Sequence, residues 1–310
     1  MKQNRENPFF ETYRTPFGTP PFDRIKTEHY EPAFDEGIRQ LDKEVRAIAD
    51  NAELPTFENT IVALERSGKL LDKVSSAFFN VLNAEADDEM MDISQRVSPK
   101  LSESSNNIYL NEKLFARVKS VYDRREEHLP TEDARLLEKT FEAFSTRGAA
   151  LEPENKEKYR KLSSELSLLS LTFEQNALKD KNRYELLLTQ ESELEGLPES
   201  IREAAAFRAK EKGKTGWLFN LSAPSYVPFM RYSALRELRE KMYREYMSVG
   251  NKGDEYDNKE IIRRIVNIRL EIARLMGHST YAEYSLKRTM AKTPANVYHL
   301  LEQLLEAYKP

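Results

Sequence analysis

Apolar residues recur at spacings of three and four along most of this chain, and that period restricts the fold to packed amphipathic helices. Phe34, Ile38, Leu41, Val45 and Ile48 step by four, three, four and three, which places them on one face of a helix running from Pro32 to about Asn51. Thr56 is the expected N-cap of a second helix to about Ala84, with Ile61, Leu64, Leu71, Val74, Phe78 and Val81 inward. A third helix is expected over 88–107. Leu114, Phe115, Val118, Val121 and Tyr122 define a fourth, and Thr131 is read as the cap of a fifth carrying Leu136, Leu137, Phe141 and Phe144. The run from Gly148 to Pro153 breaks the series. Tyr159, Leu162, Leu166, Leu169 and Phe173 then mark a long helix to about Lys179.

Composition agrees with this reading, because only 10 glycines beside 39% hydrophobic and 32% charged residues suit long helices with solvated charged faces. The expected class is mostly α, in two lobes, since 310 residues exceed what one core organises. No repeat of fixed period is visible, which disfavours a regular solenoid. Residues 1–29, rich in proline and aromatics, show no helical period. They are expected to lie extended over a helical surface.

Two short runs depart from the period. Residues 183–189 and 216–221 read as strands of a small sheet, separated by a helix at 198–210. The second opens the most specific stretch, Thr215 to Val249, which holds the only tryptophan, Trp217. Ser222-Ala-Pro-Ser225 reads as a turn, and Pro228 as the first residue of one long helix with Leu235, Leu238, Met242, Tyr243 and Tyr246 inward. Glu237 with Lys241 and Glu240 with Arg244 are i,i+4 pairs on its wet side. Farther on, Asp257 and Glu260 read as a capping box for a helix stopped at Gly277; Thr280 with Glu283, and Thr293 with Pro294, start two more.

Several function classes fall away. The net charge of −4 arises from 48 basic and 52 acidic residues interleaved without a basic block, so nucleic acid is not an expected partner. No apolar run approaches a membrane span and the N-terminus has no signal-like apolar stretch; a cytoplasmic location is expected, with no membrane partner. A signal peptide removed before residue 1 lies outside that reading. With no cysteine there are no disulfides, thiolate metal sites or cysteine nucleophiles. Among His29, His128, His278 and His299 no two are four apart, so H-E-x-x-H is absent from the sequence. His29-Tyr-Glu31 lacks the cysteines that a zinc deaminase needs, and His299 with Glu302 has no second such pair to complete a metal site. Asn220-Leu-Ser222 has the form of a glycosylation acceptor without a context that uses it.

The runs P-S-Y-V-P-F-M-R-Y-S and R-E-L-R-E-K-M-Y-R-E-Y, within residues 224–246, resemble the thimet-oligopeptidase-like zinc metallopeptidases. So do N-P-F-F, P-P-F-D-R-I-K-T-E-H-Y-E-P-A-F, P-T-F-E-N-T-I-V-A-L-E-R-S-G, S-P-K-L-S with I-Y-L-N-E-K-L-F, and D-N-K-E-I-I-R-R-I-V-N-I-R-L-E-I-A-R-L-M-G. Their order is that of the peptidyl-dipeptidase branch. The resemblance implies the multi-helical N-terminal lobe of a two-lobed channel peptidase acting on short peptides. A zinc site on H-E-x-x-H and a further glutamate would lie after Pro310. It implies an N-terminal helical domain over 1–220 and the start of the catalytic domain over 221–310. No catalytic or metal-ligating residue is expected in this chain, and the fragment alone is expected to be inactive and to bind no zinc. An oligopeptidase A-like endopeptidase is the nearer alternative, and a non-enzymatic helical interaction module the more distant one.

Tyr226, Arg231 and Tyr232 are the substrate-channel candidates, because a strand-to-helix junction on a rigid scaffold can present an arginine and phenols to a peptide carbonyl or carboxylate. The plainer alternative is that Tyr226 fills a core and Arg231 makes an interhelical ion pair. Finally, the helix from Pro294 carries Val297, Leu300, Leu301, Leu304, Leu305 and Tyr308, a stripe too broad for an isolated surface helix. It is expected to be covered by a C-terminal half in a longer enzyme. In the fragment it would dock on the 257–276 helix or support weak self-association.

Overall fold

The rhythm that begins near Pro32 produces helix α1, Tyr30–Ala49, which buries Phe34, Leu41, Val45 and Ile48. A computed structural model of the protein describes residues 7–85, 87–125 and 129–309, so His128 lies outside the described residues. Thr56 caps as expected: its hydroxyl accepts from the Asn59 N–H at 3.1 Å, and the Asn59 side chain accepts from the Thr56 N–H at 2.8 Å. The helix expected beyond it is interrupted. A π-helical turn, Phe57–Val62, passes into α2, Ala63–Glu65, and the chain then turns at Gly68 before α3, Lys69–Glu85. Gly68 takes φ +77°, a left-handed conformation that ends helices, and its N–H is held by Glu44 Oε2 at 2.8 Å.

Helix α4, Asp88–Tyr109, starts at Asp87, whose carboxylate accepts from the Met90 N–H at 2.7 Å. Asn111 caps α5, Glu112–Asp123, in the same way. Thr131 does not cap α6, Thr131–Thr146. It is the first helical residue, and Pro130, extended at ψ 148°, takes the cap position because its ring fixes the entry geometry. Helix α7, Pro153–Arg183, runs four residues past the expected end. Its stripe is only partly inward: Tyr159 and Leu162 are buried, while Phe173 is 36% exposed.

Two compact units result: the described residues up to Leu168 together with Asn267 onward, and Leu169–Val266. In the first, Phe9, Tyr30, Phe34 and Phe78 form one core cluster, with the Tyr30 and Phe78 rings edge to face at 5.0 Å. Leu114, Val118, Leu137 and Phe144 anchor another. The proline-rich N-terminal segment contributes Phe9 to the core, whereas Phe17, in a short turn with φ 59°, is fully exposed. Lys73 fastens this segment, donating to the carbonyls of Phe9 at 2.9 Å and Glu11 at 2.7 Å. Helix α12, Tyr281–Leu286, begins with the expected Thr280/Glu283 box, and α13, Pro294–Tyr308, with the expected Thr293 cap. The α13 stripe is not docked: Leu300, Leu301, Leu304, Leu305 and Tyr308 are all exposed.

In the second unit, β1, Leu186–Leu188, pairs antiparallel with β2, Trp217–Phe219, in the register Leu186 to Phe219 and Leu188 to Trp217. The expected small sheet is therefore present, trimmed at its ends. Helix α8, Glu199–Glu211, presents Ala205 and Ala209, both fully buried, where small side chains permit close packing. Arg208 of α8 donates to the Leu218 carbonyl at 2.7 Å. Helix α11, Lys259–Leu275, starts in this unit, where it buries Ile265, and continues into the residues of the first, burying Ile268 and Ile272 and stopping where Gly277 takes φ +79°. The expected Asp257/Glu260 box does not form. Asp257 accepts from the N–H groups of Lys259 at 3.0 Å and Gly253 at 2.6 Å, while Glu260 turns outward to Arg263. Among the described helices none is long and apolar enough to cross a membrane.

Candidate functional site at the α9–α10 junction

The sequence from Asn220 to Ser225 builds the entry to the candidate site through its own polar side chains. Asn220 Oδ1 accepts from the Ser222 N–H at 3.2 Å and from its hydroxyl at 2.7 Å, and Ser225 Oγ accepts from the Asn220 N–H at 3.0 Å. The apparent glycosylation triplet is thus a structural turn. Ser222 stands in the cap position of α9, Ala223–Tyr232, so the helix begins five residues earlier than Pro228. Pro224 suits the first turn, where no intrahelical N–H bond is required, and Pro228 lies inside the helix.

A single long helix was also the expectation for 228–249, and here the structure differs again. Ser233, at ψ 127°, ends α9, and α10, Arg236–Met247, starts anew with Leu235 at its cap position. The break is held from outside by the Ala234 N–H, which donates to the Glu195 carbonyl at 2.8 Å. Gly196 permits that approach: at φ +84° it lies so near the Tyr232 carbonyl that a β-carbon would come within 2.3 Å of it. Arg239 reinforces the joint by donating to the Ser233 carbonyl.

The three sequence candidates fall into two places. Tyr226 is half-buried and stacks on Tyr246 of α10, with ring centroids 4.2 Å apart and planes 14° from parallel. Burial, with Tyr246 and Tyr243 nearby, raises its phenol pKa, so it is a neutral donor near pH 7. Arg231 is exposed, with its guanidinium 5.3 Å from the centroid of the Tyr232 ring, itself 43% exposed. Among the described residues no carboxylate pairs with Arg231 and no ring contact joins Tyr226 to Tyr232. The interhelical ion pair considered for Arg231 is absent, whereas the packing role considered for Tyr226 is met in part.

The sequence reading missed the residues beside them. Met230, Arg236, Arg239, Glu240, Tyr243 and Arg244 line an open hollow of about 390 Å³ at the junction. Of these the sequence singles out only Glu240 and Arg244, as a pair on the wet side of one long helix, and Tyr243, as inward; the break at Ser233 brings them together with Met230 of α9. Glu240 and Arg244 pair as expected, at 2.7 Å, but Glu237 and Lys241 do not pair. Met242 is the buried contact of α10, whereas Tyr243, expected inward, is half exposed.

No three histidine, aspartate or glutamate side chains come together as a metal-ligand group among the described residues. His29 is engaged by the Lys26 N–H at 3.0 Å, and His299 sits beside Gln303 at 3.2 Å.

Residues 229–310 match the model of Peptidase family M3. Over 303 residues, 97% of this chain, the sequence is 37% identical to a dipeptidyl carboxypeptidase of Escherichia coli K12, covering 44% of that protein. It is 32% identical over 298 residues to an oligopeptidase A of Haemophilus influenzae, across 94% of this chain and 44% of that protein. A probable cytosolic oligopeptidase A of Arabidopsis thaliana is 33% identical over 302 residues, 94% of this chain and 42% of its own length. The chain thus spans less than half the length of these relatives.

Proposed function

We propose that this chain, whose residues 229–310 match Peptidase family M3 and which is similar to a dipeptidyl carboxypeptidase along nearly its whole length, forms the N-terminal part of a zinc metallopeptidase that hydrolyses short peptides and releases C-terminal dipeptides. The observation that carries this is the similarity to a dipeptidyl carboxypeptidase along nearly the whole chain, not at one motif. Internal cleavage, as the name oligopeptidase A suggests, is the second reading, favoured by the similarity to those proteins over almost as much of the chain. Residues 221–310 would begin the catalytic domain, in keeping with a family match that starts at Phe229.

In such an enzyme zinc would polarise the scissile carbonyl and activate a water. The described residues of this chain do not fit a zinc site. What they supply is positioning. Arg231, exposed and without a carboxylate partner among the described residues, can hold a peptide carbonyl or carboxylate; Tyr232 lies beside it, and Tyr226 offers a neutral phenolic donor on the same helix. Short peptides are the partners this reading requires.

The test is product analysis. The parent enzyme, supplied with N-acetylated peptides of five to eight residues (about the length range to scan), is expected to release C-terminal dipeptides detectable by mass spectrometry. Internal cuts alone would favour the oligopeptidase reading, and no chelator-sensitive cleavage would overturn both.

A further inference from the structure

Among the described residues, the hollow beside α9 and α10 holds one cation without a partner, Arg236. Arg244 is committed to Glu240, through Nε at 2.9 Å and Nη2 at 2.7 Å. Arg239 spends one N–H on the Ser233 carbonyl and keeps the rest of its fork. Arg236 is exposed and has no hydrogen bond or ion pair among the described residues. Three arginines against one glutamate line this surface, in a chain whose net charge is −4. Met230 and the half-exposed ring of Tyr243 give the same hollow an apolar flank.

We propose that this hollow binds the carboxylate of a peptide, with Arg236 making the charge-assisted contact, Arg239 adding to the positive field, and Met230 with Tyr243 packing on the adjoining side chain. A guanidinium presents paired N–H donors that match the two oxygens of a carboxylate. Glu240 within the lining disfavours a dianion such as phosphate, and the absence of a basic block elsewhere disfavours nucleic acid. The peptide class rests on the peptidase reading above. The carboxylate could be the chain terminus or an acidic side chain, and the experiment separates the two.

Binding of fluorescein-labelled pentapeptides to the 310-residue chain would be followed by anisotropy at low and high salt. One peptide carries a free C-terminus, one a C-terminal amide, and one an amide with an internal glutamate. At least one carboxylate-bearing peptide should bind about tenfold tighter than the neutral amide, and added salt should narrow that gap. Arg236→Gln should abolish the discrimination, Arg236→Lys should restore part of it, and Tyr243→Ala should weaken all three peptides alike. Because Arg236 is exposed, the variants should keep the wild-type circular dichroism and melting temperature. Equal binding of all three peptides, no binding, displacement by inorganic phosphate as effective as by acetate, or an Arg236→Gln variant that still discriminates would overturn the proposal. Carboxylate discrimination in a parent enzyme that cleaves nothing would leave this site standing and remove the peptidase reading. Cleavage indifferent to Arg236 would do the reverse.

Discussion

Tyr226 and Tyr246 lie ring on ring, 4.2 Å apart and 14° from parallel, so the first helical turn after the small sheet is locked to the last turns of α10. That stack gives Tyr226 a packing role that Arg231, exposed and unpaired, does not have. The two should respond differently to substitution. In the parent enzyme Arg231→Ala should lower kcat/KM about tenfold or more with little change in melting temperature, as loss of one charge-assisted contact implies. Tyr226→Ala should cost about 1–3 kcal/mol of stability as well. A melting temperature several degrees lower with kcat/KM intact in Arg231→Ala would remove Arg231 from the substrate path.

Gly196 should tolerate no side chain. Its β-carbon would stand 2.3 Å from the Tyr232 carbonyl and 2.9 Å from the Ala234 nitrogen, at a positive φ that L-residues resist. Gly196→Ala is therefore expected to destabilise the second unit by about 2 kcal/mol or more and to loosen the α9–α10 break. Unchanged denaturant unfolding of the variant would show that the contact relaxes freely.

Asp180, fully buried, is the electrostatic knot of that unit. It accepts from Arg183 Nε at 2.7 Å, the Gly250 N–H at 2.8 Å and Lys252 Nζ at 3.1 Å. Asp180→Ala should cost about 3 kcal/mol, because it strands the buried Gly250 N–H and removes the buried carboxylate shared by Arg183 and Lys252, which keep only more exposed partners such as Asp254 and Glu245; Asp180→Asn should cost less, since the amide oxygen still accepts. Chemical denaturation of both variants decides this, and equal, negligible losses would contradict the account.

The helical architecture was legible because apolar spacing reports directly on buried faces, as at Phe34, Leu41, Val45 and Ile48. Caps with a short side-chain oxygen, at Thr56, Thr280 and Thr293, were equally readable. Breaks set by distant contacts were not. Gly68 turns because Glu44 receives its N–H, and Ser233 ends a helix because Ala234 bonds to Glu195, partners that no local pattern contains. The hollow at Arg236 lies at that second break, so its lining, of which Glu240 and Arg244 read as a solvated pair and Tyr243 as inward, did not stand out as one site. Tyr226, Arg231 and Tyr232 could be singled out as candidates because the strand-to-helix junction is marked locally, by Trp217 before it and by the prolines after it.

Helix α13 leaves Leu301 52% and Leu305 58% exposed, in a stripe with Leu300, Leu304 and Tyr308. Such side chains gain about 1.5–3 kcal/mol each on full burial. Light scattering of the 310-residue chain over a concentration series should show weak association that the double substitution Leu301→Glu with Leu305→Glu abolishes. A strictly monomeric chain at every concentration would contradict it.

The central proposal is that this chain is the part of a zinc peptidase that does not carry the metal site, and metal analysis tests it most directly. Purified with zinc present and then dialysed, the 310-residue chain should retain well under one zinc per molecule and cleave no peptide, since three or four convergent ligands are required. The parent enzyme, treated alike, should hold about one zinc and lose its peptidase activity to a chelator. One tightly held zinc per 310-residue chain, with chelator-sensitive cleavage, would contradict the account.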